Sequence, residues 1–270
     1  MLGTIDYLSI VLCFGYTISP YVSNYFFLKN SKIYKQIYYP AIVSVFLSVW
    51  GILPQVSVLW LFYSSFGFFL YFKIHKKDIL RNKHWLGLVP FLFSLVSATW
   101  FVCGTNDLYL LGYNKTWSFY ASIHGCFIGW LFLSGICSLA IKNSKLQILT
   151  VFVGLVLSLF LVIAIGIDQS GPFKKIGVIG YMVLFPVIAL YILKVLKPKR
   201  SISKFFLWIH FFSILFSLCI AVGKEFSLFD VDHNNLQIIM HYLHGGINAF
   251  VVIPTCLFAI FSEENVHTHP

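Results

Sequence analysis

Ile148-Leu149-Thr150-Val151-Phe152-Val153-Gly154-Leu155-Val156-Leu157-Ser158-Leu159-Phe160-Leu161-Val162-Ile163-Ala164-Ile165-Gly166-Ile167 contains no charged residue. Coiled as a helix at 1.5 Å per residue, a run of this length reaches about 30 Å, the thickness of the bilayer hydrocarbon core. Continuous apolar runs are a helical signature, because barrel strands would alternate apolar and polar residues over about ten positions. In lipid only helices and closed barrels satisfy their own backbone groups.

The same pattern recurs on both sides of this stretch. Helices are expected at 7–28, 37–53, 55–74, 86–103, 118–141, 146–167, 176–196, 203–223 and 237–261. Composition agrees: 59% of the 270 residues are hydrophobic, 10% are charged, and the mean hydropathy is +0.85. Soluble domains carry roughly 25% charge, so the apolar surplus here must face lipid. The fold class is therefore all-α, a polytopic transmembrane helical bundle of about nine helices. Eight is the alternative, because the first run contains Pro20, Ser23 and Asn24 and could lie partly in the interface. One membrane domain accounts for residues 1–270, with no linker, soluble domain or internal repeat. No basic n-region precedes the first run, so it is expected to be retained.

Charge sets the orientation. Loops 29–36, 73–85, 142–145 and 194–204 hold 15 of the 19 Lys and Arg residues. With nine crossings all four loops share one side, the cytoplasmic one by the positive-inside rule. The N-terminus is then outside and the C-terminus cytoplasmic, as in a multi-pass protein of the cell membrane. The net charge of +10 is explained by these loops, and a nucleic-acid partner is rejected. The six cysteines form no CxxC pair and read as small buried hydrophobes.

Ionisable side chains inside a membrane are costly, and each is a candidate for function. His241, His244 and Asn248 stand at i, i+3 and i+7 on the last helix, beside Gly245-Gly246. That spacing places them on one face, and the glycines allow a helix or a ligand to approach closely. On the fifth helix Trp117, Tyr120 and His124 also share a face. The three histidines lie at similar depth from the outer side, which suggests a shared polar pocket beneath outer loops that carry Asn106, Asp107, Asp230, Asp232 and His233. His124, His241, His244 and Asn248 are the catalytic candidates. Trp117, Tyr120, Asp107 and Asp232 are the substrate-binding candidates. Histidine can move protons, bind a metal or ligate haem, and the spacing does not choose a cofactor. HxxH alone is loose for a metal site. His210 reads as a packing residue, and Asn114-Lys115-Thr116 as a chance glycosylation sequon. No Walker A loop, GxSxG elbow or dinucleotide fingerprint is present.

The segment His244-Gly245-Gly246-Ile247-Asn248-Ala249-Phe250 resembles a His-Gly-x-x-Asn-Ala segment of the YndJ-like family of bacterial integral membrane proteins. The helix around Ala121-Ser122-Ile123-His124-Gly125 is similar to an earlier His-bearing helix there. The resemblance is confined to these two segments and implies a multi-pass membrane protein without naming a reaction. The expected function is a membrane-embedded enzyme or cofactor-binding protein acting on a lipid-like or prenyl-like small molecule. The abundant aromatics, 19% of residues, suit such a substrate. The alternatives are a small-molecule or ion transporter that uses the same histidines, and a non-catalytic membrane partner.

Overall fold

The computed structural model describes residues 4–79, 83–143, 147–168, 172–196, 198, 200–229 and 233–268. They belong to two compact units, Met1–Ser144 and Lys145–Pro270. Among the described residues all regular structure is helical, and eight helical stretches are long and apolar enough to cross a membrane. The chain is a multi-pass, all-α membrane protein.

The first unit begins with α1 (Thr4–Phe27), one continuous helix despite Pro20, and α2 (Lys32–Val49). α3 (Val58–His75) and α4 (Leu88–Thr105) follow, each entered through a short 3-10 turn. The last crossing runs through α5 (Lys115–His124), a π-helical segment π1 (Gly125–Phe132) and α6 (Leu133–Lys142). Asn114 caps α5 by accepting a hydrogen bond from Trp117 N at 3.0 Å, which gives the sequon asparagine a structural role.

α2 is the helix absent from the eight apolar spans, because Lys32, Lys35, Gln36 and three tyrosines dilute its hydropathy. It nevertheless runs the full height of its unit. On one face the end of α1 meets the end of α3, where His75 Nε2 donates to Phe27 O at 3.0 Å. On the opposite face Asn106 Nδ2 donates to Ser57 Oγ at 2.9 Å, beside the turn that leaves α2. α2 connects the first face to the second, so the nine-pass reading follows from packing where hydropathy alone stops at eight. The first face carries Lys29, Lys32, Lys35, Lys76, Lys77 and Lys83, as the charge pattern requires.

Hydrophobicity does not drive helices together in lipid; close packing and interhelical hydrogen bonds do. The core of the first unit uses both. Tyr16 is fully buried, lies 4.6 Å from the Trp60 ring, and places its hydroxyl 2.9 Å from Ser97 Oγ and 2.8 Å from Ser122 Oγ. Ser97 Oγ donates to Ser122 O at 2.7 Å and Ser122 Oγ donates to Ser97 O at 2.9 Å, which ties α4 to α5. Trp130 Nε1 donates to Ser23 Oγ at 2.6 Å.

The second unit is an up-and-down series of α7 (Gln147–Asp168), α8 (Pro172–Leu196) and α9 (Ser201–Glu225), closed by a composite last helix. That helix comprises α10 (His233–Ile238), π2 (Ile239–Gly245), π3 (Asn248–Val252) and α11 (Ile253–Thr268). Glycines bring α7 against α8: a Cβ at Gly166, Gly177 or Gly180 would collide with Lys174, Ile163 or Leu159. At one end Lys174 pairs with Glu225 at 2.7 Å. At the other, Arg200 N donates to Glu263 Oε1 at 3.1 Å.

Candidate functional site

π-helix is rare and commonly marks functional positions. Among the described residues it occurs in two crossings, the two that carry the candidate histidines. His124 is the last α-helical residue before π1, His241 and His244 lie within π2, and Asn248 opens π3.

In the second unit the site is a seam between α9 and the last helix. His244 Nδ1 lies 2.9 Å from Ser217 O and 3.0 Å from Ser217 Oγ. A carbonyl only accepts, so Nδ1 carries the proton and Nε2 keeps its lone pair. Ser217 Oγ reaches back to His244 O at 3.4 Å, and Asn248 Nδ2 makes a long contact of 3.4 Å to Nε2. Further along the seam, fully buried His210 donates from Nδ1 to Val252 O at 2.8 Å. Val252 closes π3. His210 thus fastens the second π-helical segment to α9 as His244 fastens the first. The sequence reading of His210 as a packing residue fits this geometry. Ser217, which anchors His244, carried no signal in the sequence, because a serine in an apolar helix is common.

The segment from Ile238 to Asn248 holds no fully buried residue, whereas the inner half of the helix buries Val252, Ile253, Cys256, Leu257, Ala259 and Ile260. Leu243 and Phe250 are exposed, and His241, His244 and Asn248 are half-buried. A Cβ on Gly245 would meet only Met240 O, at 3.6 Å. The sequence suggested close approach of a helix or a ligand at this glycine. Within its unit no helix takes that place. The period in π2 also departs from 3.6 residues per turn, so the i, i+3, i+7 face is redrawn, and the contact that forms is His244 with Asn248.

His124 belongs to the first unit. Its Nδ1 donates to Tyr120 O at 2.7 Å, which again leaves the lone pair on Nε2. The ring is exposed on the unit's surface. Trp117 and Tyr120 share that face, with ring centroids 5.6 Å apart, and Tyr113 and Trp100 extend the aromatic row toward the end of the bundle. Three intramembrane histidines thus share one tautomer, each with Nδ1–H on a backbone carbonyl.

The loop candidates fare differently. Asp107 sits at φ 51° in an exposed turn and pairs with Lys115 at 3.9 Å, a surface contact of little energetic weight. Asn106 is fixed by Ser57 Oγ, Pro54 O and Val102 O. Asp230 and Asp232 lie outside the described residues. Among the described residues no group of three or more His, Cys, Asp or Glu side chains is placed to hold a metal ion. All six cysteines are unpaired, and five of them are buried.

No family model, no curated protein and no solved structure matches this chain.

Proposed function

We propose that this chain is a cell-membrane protein, N-terminus outside, that binds a lipid-like or prenyl-like small molecule at the outer half of its last helix. It does so as an embedded enzyme or cofactor-binding protein. The supporting observation is His244, held by Ser217 within a π-helical segment that its own unit leaves half-covered. An imidazole fixed through Nδ1 presents Nε2 as a base or hydrogen-bond acceptor at a defined place. Asn248 orients the ring or the ligand, His241 adds a second titratable group, and the open space at Gly245 admits an apolar chain. In the first unit His124 is a second candidate base, flanked by Trp117 and Tyr120 as apolar contacts. Likeness to the YndJ-like family rests on the same His244–Phe250 segment and is part of the proposal.

A transporter is the second reading. Helices broken inside the membrane are a transporter feature, and two π-helical segments in one crossing favour it. One comparison separates the readings from each other and from pure packing. Purified protein is heated with and without farnesol or a short-chain ubiquinone, as wild type and as His244→Gln. Stabilisation of the wild type that disappears in a variant of unchanged ligand-free melting temperature supports the site. If neither ligand stabilises the wild type and the variant restores growth of a deletion strain at normal expression, His244 only packs. Uptake of solute into proteoliposomes, lost in the same variant, would select the transporter.

A further inference from the structure

The exposed side of α2 is graded along its length. Lys32, Gln36, Tyr39, Pro40 and Val43 fall at i, i+4, i+7, i+8 and i+11 and are all exposed, so they make one stripe. Lys35 stands beside Lys32 at the same end and is exposed too. From Tyr39 onward the stripe becomes one wall of a groove of about 410 Å³, which Val56 and Leu59 close from the start of α3. Tyr39, Pro40, Val43 and Leu47 form the α2 wall. Ser44 is the one hydroxyl of an aliphatic side chain there, and it is satisfied internally by donating to Ala41 O at 2.6 Å. The groove therefore offers hydrocarbon contact and no hydrogen bond.

The grading matches the depth profile of one membrane leaflet. From Lys32 to Tyr39 is about 10 Å along the helix, and from Tyr39 to Leu47 about 12 Å. Lysine side chains reach outward from such positions to headgroup level. Tyr39, joined at matching depth by exposed Tyr21 of α1, occupies the ester level where amphipathic rings settle. Above them only apolar surface remains. α2 contains no acidic residue, so the polar end is purely cationic.

We propose that this face seats one anionic phospholipid, its phosphate between Lys32 and Lys35 and an acyl chain along the groove between α2 and α3. Charge complementarity selects the occupant: a neighbouring apolar helix would leave two lysines unpaired, and a zwitterionic lipid would bring its own cation to them. Such a lipid also explains why α2 is too polar for the hydropathy criterion that the other crossings meet. The site lies wholly in the first unit and does not depend on the reading of His244.

Native mass spectrometry of delipidated protein titrated with phosphatidylglycerol or phosphatidylcholine tests it. The wild type is expected to retain one phosphatidylglycerol in preference to phosphatidylcholine. Lys32→Gln with Lys35→Gln should weaken binding about tenfold, the scale expected for two lysines at an anionic surface. Val43→Trp fills the groove and should weaken binding while leaving every charge in place, which keeps the test valid if the lysine variant inserts poorly. Lys76→Gln with Lys77→Gln on the same face should change little. Glycerophosphoglycerol, the headgroup without chains, should not compete. Equal retention of the two lipids overturns the proposal. So does an equal loss in the Lys76/Lys77 variant, which indicates diffuse surface charge, or competition by the chainless headgroup, which indicates an anion site alone. A dimer mass abolished by Val43→Trp would make the face a protein interface.

Discussion

Two π-helical segments follow or contain a histidine, and they differ in what surrounds them. In π1 seven of eight residues are buried, Gly125, Cys126, Phe127, Gly129, Trp130, Leu131 and Phe132. In π2 none is. The widened turn of π1 fits its neighbours closely: a Cβ on Gly125 would stand 3.1 Å from Ser97 Cβ, and Gly15 of α1 faces Cys126 Sγ at 2.7 Å. Packing accounts for that distortion. The distortion in π2 has no such account within its unit. It is held by side-chain hydrogen bonds on one side and left open on the other. A costly backbone geometry maintained without packing is the better pointer to a ligand.

The comparison is tested most severely by its glycines. Gly129→Leu drives a side chain into the Phe93 ring; overpacking costs typically about 1–3 kcal/mol, and more where the backbone cannot yield. The variant is expected to be lost from the monodisperse fraction in size-exclusion chromatography. Gly245→Ala should remain folded and melt at or slightly above the wild-type temperature, since Ala is favoured over Gly in a helix by about 0.5–1 kcal/mol. A Gly245→Ala protein as damaged as Gly129→Leu would mean that π2 is packed after all.

His210→Leu comes next. It removes the donor to Val252 O in a buried seam and should cost about 1–3 kcal/mol, read as a lower melting temperature. His210→Gln keeps a donor and should recover most of it. Because the contact lies beyond π2, ligand-induced stabilisation should survive in both variants. Its loss would merge the packing and ligand roles that the comparison separates.

The smallest effect is expected at Asn248. Its contact to His244 Nε2 is long, 3.4 Å, and a neutral hydrogen bond contributes about 0.5–1.5 kcal/mol net. Asn248→Ala should weaken ligand binding several-fold and leave ligand-free stability unchanged. A total loss of binding would promote Asn248 from an orienting group to a direct partner of the ligand.

Much was legible before any coordinates. Runs such as 148–167 dictate membrane helices, because length and apolarity act locally and the bilayer imposes a fixed thickness. The basic loops fixed an orientation for the same reason. His124, His241, His244 and Asn248 stood out because polar groups are rare in such runs. Other features were decided by tertiary structure. α2 fails a hydropathy count yet crosses its unit, since its lysines and tyrosines stand at the ends and sides of a packed helix. Ser217 and His210 became seam residues only when α9 lay against the last helix. The π-helical segments have no code in their own sequence. A widened turn is set by what the neighbouring helix offers, Phe93 and Ser97 beside π1 and Ser217 beside π2. Composition and periodicity report how a segment meets its solvent, whereas hydrogen-bond partners and helix register depend on which other segment arrives alongside.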